Sequence, residues 1–265
     1  MRKSFVLGLA VALVGWTTVA SAAGWGNLKG KFVFDGKAPA PAKLKVDKDP
    51  AVCAAPGHVL VDESLVVDDK GGIANIVVAL YLKPGSKKPE LNADFAAAVK
   101  TPVELDNVKC RFEPRITVVY AGQELVLKNT DPVGHNVKAN LLSNAPFNDL
   151  IPGGGKLTKT SLKVEERLPA EASCSIHPWM RGYLVVREDP YVAVSAADGT
   201  FEIKNIPAGN WTFRAWQERS GYIEEVKIDG KAKKWDKGRF DVKIEDKKDL
   251  DLGEVLIGIK EFPAK

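Results

Sequence analysis

The chain has 265 residues, of which 45% are apolar and 27% are charged, the ordinary balance of a globular protein. This composition excludes a wholly disordered chain, a collagen and a coiled coil. The formal net charge is only +4, and no run of lysines and arginines is longer than two residues. Because basic residues are also not interleaved with aromatic ones, the sequence predicts no nucleic-acid partner.

The first 23 residues have the features of a secretory signal peptide. Arg2 and Lys3 make the start positive, residues 5–19 are uncharged and mainly apolar, and residues 20–22 (Ala-Ser-Ala) match a cleavage pattern. A single membrane anchor is the alternative, but the apolar run is short for a span of about 20 residues. The sequence therefore predicts a periplasmic or secreted protein with no membrane span after signal cleavage.

From residue 24 onward, alternating apolar residues and frequent β-branched residues predict an all-β chain. The proline-rich segment 38–50 predicts an irregular arm, and one short helix is predicted at Pro89–Val99. Before residue 189 the predicted strands are Leu28–Phe34, Ser64–Val67, Ile73–Leu82, Ile116–Tyr120, Glu124–Asn129, Lys156–Leu162, Ala170–Ser173 and Leu184–Arg187.

A second block begins near Asp189, and the spacing of its strands suits a small antiparallel sandwich. Its predicted strands are Tyr191–Ser195, Thr200–Ile203, Trp211–Gln217, Tyr222–Ile228, Arg239–Ile244 and Leu250–Ile257. The predicted division is a signal peptide at 1–23, an arm plus a first sandwich at 24–188, and a second sandwich at 189–265.

Side chains that bind soft metals are scarce in this chain, and they are concentrated. There are three cysteines, three histidines and two methionines. Cys174, His177 and Met180 lie within seven residues, and His135 lies 39 residues before Cys174. Once Met1 leaves with the signal peptide, Met180 is the only methionine that remains. These four residues form a candidate metal site.

A thiolate, two imidazoles and a weak thioether are the ligands of a mononuclear blue-copper electron-transfer centre. Thiolate and imidazole bind both oxidation states of copper, so an electron can pass without new ligands. The sequence therefore predicts one type 1 copper centre. Zinc is an alternative, with water or a carboxylate such as that of Asp131 or Glu171 as the fourth ligand. A second alternative is that the four residues only pack in the core.

The region from Ile116 to Val186 resembles the cupredoxins, especially the plastocyanin and amicyanin branch. Gly134–Val137 is similar to the first ligand loop of that family, and Cys174–Met180 is similar to the short amicyanin-type loop. The resemblance implies a Greek-key sandwich in which His135, Cys174, His177 and Met180 are the copper ligands.

The same resemblance implies roles for three neighbours of the ligands. Asn136 is expected to tie the two ligand loops together. His177 is expected to present its ring edge near the surface, where Pro178 and Trp179 form an apolar rim. We interpret that rim as the docking patch for a redox partner protein. Core packing of Trp179 is the alternative.

The whole chain resembles a group of secreted bacterial proteins labelled methylamine utilization protein. The resemblance lies in Val61–Val67 and Cys110–Pro114, ahead of the copper motifs. One departure is Arg115, which stands where that group is associated with a histidine. The label does not establish a pathway for this chain.

The segment Ala197–Phe213 resembles the carboxypeptidase regulatory-like, transthyretin-like sandwich. This resemblance predicts a fold and says little of function. Gly30–Gly36 is similar to the first strand of such a fold, so we hypothesise that it pairs with the C-terminal block and makes the first sandwich an insertion. Aromatic residues here offer a possible glycan contact, with core or rim packing as the favoured interpretation: Trp211, Trp216, Tyr222 and Trp235.

Two cysteines remain after Cys174 is assigned, and in an exported chain they usually pair. A Cys53–Cys110 disulfide would tie the arm to the first sandwich and contribute about 4 kcal/mol in the chain-entropy model. The alternative is a second metal site formed by Cys53 and His58. The charged residues of 111–115 are expected to form a solvated or salt-bridged turn.

The predicted function is that of an exported type 1 copper protein in one-electron transfer, with an unidentified redox partner and no enzymatic activity. No Gly-x-Ser-x-Gly or His-Glu-x-x-His motif of a hydrolase is present in the sequence. The alternative is a glycan- or protein-binding module whose metal site is degenerate or structural. Copper storage is disfavoured, because it would call for exposed, exchangeable Met and Cys clusters.

Overall fold

The computed structural model describes residues 24–263, and most of its regular structure is β-strand. None of the helices in that range is long and apolar enough to span a bilayer. The signal peptide predicted at 1–23 lies outside the described residues.

The strands are β1 Trp25–Asp35, β2 Val77–Leu80, β3 Val103–Val108, β4 Arg111–Glu113, β5 Ile116–Tyr120, β6 Leu125–Asn129, β7 His135–Ala139, β8 Phe147–Ile151, β9 Lys156–Lys159, β10 Ala170–Ser173, β11 Arg181–Arg187, β12 Val192–Val194, β13 Thr200–Pro207, β14 Gly209–Gln217, β15 Gly221–Tyr222, β16 Glu225–Ile228, β17 Lys231–Lys234, β18 Arg239–Ile244 and β19 Asp249–Gly258. The helices are α1 Pro50–Cys53 and α2 Phe95–Lys100, with 3-10 turns at Asp236–Gly238 and Ile259–Glu261.

The first sandwich consists of a sheet in the order β5-β11-β10-β7-β8 and a sheet in the order β4-β3-β6-β9. β11 runs parallel to β5, and β3 runs parallel to β6. Alternating apolar residues of both sheets, such as Leu127 and Leu184, are fully buried between them. This burial fixes the register of each strand, because a shift by one residue would expose the apolar set.

The second sandwich pairs a sheet in the order β13-β1-β19-β16-β17 with a sheet in the order β12-β2-β14-β15, which β18 joins through β14. Phe32, Phe213 and Ile257 are fully buried in its core. It is antiparallel except between β1 and β19, which are parallel. The prediction of an all-β fold with two sandwiches is confirmed.

The hypothesis that the first strand belongs with the C-terminal block agrees with the strand pairing. β1 lies between β13 and β19, and β2 pairs with β12 and β14. The predicted boundary between 24–188 and 189–265 therefore does not separate the sandwiches, because β1 and β2 complete the second one. The first sandwich, β3 to β11, is inserted between β2 and β12, because those two strands pair with each other in the second sandwich.

The two sandwiches meet at an apolar cluster and an ion pair. Val185 of the first packs with Trp216 of the second, and Arg115 donates two hydrogen bonds of 2.5 and 2.8 Å to the carboxylate of Glu218. The turn predicted at 111–115 is wrong in part, because Arg111–Glu113 pairs with β3 as a strand. The predicted salt bridging is present, with Arg111 2.5 Å from Glu63.

The single predicted helix is shorter than expected. It occupies Phe95–Lys100 instead of Pro89–Val99, and the side chain of Asn92 accepts a hydrogen bond from the Phe95 backbone N–H at 3.1 Å. The helix starts after Asn92 because the Asn92 side chain, rather than a preceding helical turn, accepts this backbone N–H.

The predicted disulfide between Cys53 and Cys110 is present, with the Cα atoms 5.4 Å apart. It joins α1 in the arm to the turn between β3 and β4. Leu60 of the arm is buried with the first core, and Leu44 packs against it. A metal site of Cys53 and His58 is therefore excluded, because the Cys53 thiolate is not available.

Candidate metal centre

The four candidate ligands converge at one end of the first sandwich. His135 begins β7, Cys174 directly follows β10, and Met180 directly precedes β11. These strands are antiparallel neighbours in the order β11-β10-β7, so these three ends lie at the same edge. All four side chains, including His177, are at most 2% exposed.

Three of the four residues bring their donor atoms together. One ligand atom each of His135, Cys174 and His177 lies within 4.8 Å of the other two. The Cys174 Sγ is 3.8 Å from the His177 Nδ1, and the His135 Nδ1 is buried without a hydrogen-bond partner among the described residues. Buried polar atoms are rarely left unsatisfied, so this orphan nitrogen fits a bound cation.

Each imidazole is held from its far side by a carboxylate. The His135 Nε2 is 3.0 Å from Asp131, and the His177 Nε2 is 2.8 Å from Asp49. These bonds leave both Nδ1 atoms free of a carboxylate, and the His177 Nδ1 faces the Cys174 thiol. A carboxylate on the outer nitrogen is the usual way in which a metal-binding histidine is oriented and made more basic.

The electrostatics of the cluster favour an ionised cysteine. Burial alone would lower the pKa of His135, but its hydrogen bond to Asp131 and the negative charge of the nearby Cys174 thiolate raise it to about 9. Burial would raise the pKa of Cys174, yet the neighbouring His135 and hydrogen bonds from the backbone N–H groups of Asn136 and His177 lower it. Thiolate is the form that binds copper or zinc. Burial lowers the pKa of His177, which favours the neutral ring that a metal needs.

The two ligand segments are tied together by Asn136, the residue expected to do so. Its side-chain oxygen accepts the Ser175 N–H at 2.8 Å, and its backbone N–H lies 3.5 Å from the Cys174 Sγ. Within the second segment, the Cys174 N–H bonds the Met180 carbonyl at 3.2 Å. The donors are therefore held in place by the fold.

The expected surface position of His177 is wrong, because the ring is fully buried. The arm covers it and places Asp49 on its outer nitrogen. Pro178 is exposed, while Trp179 is half-buried with its ring centroid 5.2 Å from that of His177. The Trp179 indole N–H donates to the Cys110 carbonyl at 3.3 Å, so this side chain is fixed rather than free.

The carboxylates proposed as zinc ligands have other partners. Asp131 bonds the outer nitrogen of His135 and the backbone N–H groups of Lys109 and Cys110, and Glu171 lies 3.5 Å from Arg181. Cys110, Asp131 and His135 also lie close together, but Cys110 is in the disulfide and offers no thiolate.

Sequence reasoning missed Asp49 altogether and gave Asp131 no role beyond that of an alternative ligand. The available signal for Asp49 was its position four residues before Cys53, in an arm that the disulfide was expected to fix. The donor set of thiolate, two imidazoles and a buried thioether in the same loop fits copper, since a soft thioether is a copper ligand and no carboxylate oxygen of the described residues joins the three grouped donor atoms.

The strands and this cluster define an all-β protein of two sandwiches with a buried cysteine–histidine site at one end of the first. No protein-family model and no curated protein matches the chain. Among solved structures, the chain is similar to a copper-containing nitrite reductase from Thermus scotoductus, at 21% identity over 40% of this chain and 25% of that one, with a TM-score of 0.31. The chain thus spans a quarter of the length of that reductase.

Two small proteins are similar over almost their whole length. Amicyanin from Paracoccus versutus is 19% identical over 42% of this chain and 97% of its own, with a TM-score of 0.29. A purple cupredoxin from Nitrosopumilus maritimus is 19% identical over 33% of this chain and 100% of its own, with a TM-score of 0.27.

Proposed function

We propose that the protein is a one-electron carrier with a single type 1 copper centre. The observation that carries this proposal is the convergence of His135, Cys174 and His177 within 4.8 Å, with the His135 Nδ1 lacking a partner among the described residues. Met180, buried in the same loop, supplies the weak fourth ligand. When bound, copper supplies a site that is oxidised and reduced by one electron.

The residues around the cluster keep its geometry constant. Asp131 and Asp49 fix the two rings, while Asn136 and the Cys174–Met180 backbone bond fix the loop. Rigid ligands let an electron pass without remaking bonds. No proton transfer is required, so Asp131 and Asp49 act as positioning residues.

We propose a carrier rather than an enzyme because four protein ligands leave no open position for a substrate. The partner is a redox protein that docks at the exposed Pro178, next to Trp179 and His177. Small, transient interfaces suit electron exchange. Because Asp49 covers the outer edge of His177, the partner is proposed to approach from the Pro178–Trp179 side.

The remaining parts of the assignment extend this proposal. We propose that residues 1–23 direct export to the periplasm or the medium, and that the chain is a member of the secreted group labelled methylamine utilization protein. The second sandwich is proposed to be a carboxypeptidase regulatory-like module. A glycan-binding role has less support, because Trp235 is buried against Phe240, with ring centroids 4.3 Å apart.

Copper loading tests the function directly. The full mature chain is loaded with Cu(II), and its visible and EPR spectra are recorded beside those of Cys174→Ser. An intense blue band with narrow parallel hyperfine splitting, bleached reversibly by ascorbate and lost in the variant, is the expected result. A colourless protein that retains zinc, or binds no metal, would overturn the proposal and favour a binding module.

A further inference from the structure

A cleft of about 630 Å³ lies between the two sandwiches, away from the metal ligands. The second sandwich contributes residues of β2 and β14, and the first contributes Val185 of β11 and the segment 165–169. Pockets of this size at domain interfaces commonly bind small molecules. None of the four proposed metal ligands lines this cleft.

The charge of the lining is mainly positive. Five cationic side chains face two carboxylates, and those carboxylates are already engaged. Glu165 bonds Arg187 at 2.7 Å, and Glu166 accepts the backbone N–H groups of residues 142–144. The cationic residues are Arg167, Arg187, Arg214, Lys237 and Arg239.

Arg214 is the cation whose partners are unusual. Its guanidinium lies between the rings of Tyr81 and Tyr222, 4.3 and 4.6 Å from their centroids. Its Nε is buried and has no hydrogen-bond partner among the described residues. Within residues 24–263 no carboxylate forms an ion pair with it, whereas Arg187 pairs with both Glu165 and Asp189.

Arg214 also lies next to a second arginine in the sheet. It is directly opposite Arg239 on β18, and Arg239 contacts the same Tyr81 ring. Like charges opposite each other across two strands are destabilising. Arg239 is already paired with Asp236, so an anion bound in the cleft would neutralise Arg214 and occupy its unpaired guanidinium donors.

The rest of the lining is apolar and includes Val77, Val185, Leu168 and Trp216. A site with one cationic end and an apolar wall matches a ligand with the same two parts. We propose that this cleft binds a small organic carboxylate with a planar apolar body. The carboxylate pairs with Arg214, whose fork of N–H donors matches its two oxygens, and the body packs against Trp216 and Val185.

Calorimetric titration of the full chain with benzoate tests the proposal, with benzyl alcohol, acetate and phenyl phosphate as comparison probes. Benzoate is expected to saturate the protein with a Kd below ~1 mM, and benzyl alcohol and acetate to bind at least about tenfold more weakly. No saturation by benzoate, equal binding of either comparison probe, or binding of phenyl phosphate alone would overturn the proposal.

Variants locate the site. Arg214→Gln is expected to weaken benzoate binding about tenfold, whereas Lys243→Gln, which removes one positive charge from exposed Lys243 on β18, leaves it unchanged. Equal affinity in Arg214→Gln and the natural chain would contradict the site. If that variant does not fold, Arg239→Gln provides the second test and must also weaken benzoate binding, because Arg239 is a cationic side chain of the cleft lining.

Discussion

Asp49 and His177 are 128 residues apart in sequence, and their side chains meet at 2.8 Å. Asp49 stands just before α1 with a backbone φ of 45°, and the disulfide of Cys53 holds that helix on the first sandwich. The arm therefore does two things at once: it buries His177, and it fixes the ring with its Nδ1 towards Cys174.

Removing the Asp49 carboxylate tests this relationship. Asp49→Asn is expected to lower copper affinity by about 10- to 100-fold, because the loss of such an outer partner loosens a ligand ring. Competition with a chelator measures the affinity, and the EPR spectrum reports the ligand geometry. Asp47→Asn is the matched control, since exposed Asp47 pairs only with Lys45 among the described residues. This variant should leave the copper affinity and the EPR spectrum unchanged. Equal affinity in both variants would mean that the contact does not position the ring.

The disulfide should contribute to both stability and the metal site. Changing Cys53 and Cys110 together to serine is expected to cost about 2–5 kcal/mol of unfolding free energy. The cost arises because the unfolded chain gains freedom and the arm loses its anchor. Guanidinium denaturation measures the loss, with Cys174→Ser as the control that retains the bridge. An unchanged denaturation midpoint would show that the arm is held by its apolar contacts alone.

If the anchor positions Asp49, the same double variant should also bind copper more weakly. The copper affinity of the double serine variant is expected to fall, as it does in Asp49→Asn. Adding Asp49→Asn to the double serine variant should lower the copper affinity little further. Such non-additivity is typical of residues that act through one contact. Fully additive losses of affinity would separate the disulfide from the positioning of His177.

The sequence patterns predicted the bounds of strands correctly where burial dictates the residue type. Ile116–Tyr120 and Arg239–Ile244 have the predicted bounds because their apolar alternation reflects a buried face. Val103–Val108 and Phe147–Ile151 were missed because several of their residues are polar and partly exposed, so the alternation is weak.

The candidate ligands were identifiable because their side-chain types are rare and closely spaced. The Asp49 contact was not, because it depends on how an irregular arm folds over a distant loop. Local patterns carry no information on such a contact. The position of β1 between β13 and β19 is likewise a long-range pairing, which the Gly30–Gly36 resemblance suggested but strand alternation alone did not.

Glu166 gives the protein a pH-dependent contribution to stability. Its buried carboxylate accepts N–H groups from Leu142, Ser143 and Asn144. Burial would raise the pKa of Glu166, but the hydrogen bonds from Asn144 and this loop lower it below its ordinary value of 4.5. A carboxyl with a depressed folded pKa stabilises the protein above its unfolded pKa, and the contribution is lost as the pH falls through the folded value.

Glu166→Gln is therefore expected to lower the unfolding free energy by about 1–3 kcal/mol at pH 7. The difference from the natural chain should shrink as the pH falls from about 5 to 3, because the natural carboxyl is then protonated. Urea denaturation at several pH values measures both. Glu254→Gln on an exposed part of β19 is the control. A difference that stays constant with pH would assign the effect to packing instead of charge.

The Arg115–Glu218 ion pair joins the two sandwiches beside their apolar cluster. The Glu218 side chain is only 1% exposed, so removing Arg115 leaves a buried charge without its bidentate partner. Arg115→Met is expected to cost about 3–5 kcal/mol of unfolding free energy, since breaking a buried pair costs more than replacing both members. The double variant with Glu218→Leu should recover most of that loss, because Met and Leu pack without an unpaired charge. Denaturation of both single variants and the double variant gives the coupling energy. A double variant no more stable than Arg115→Met would show that the desolvated charge of Glu218 is not the cause of the loss.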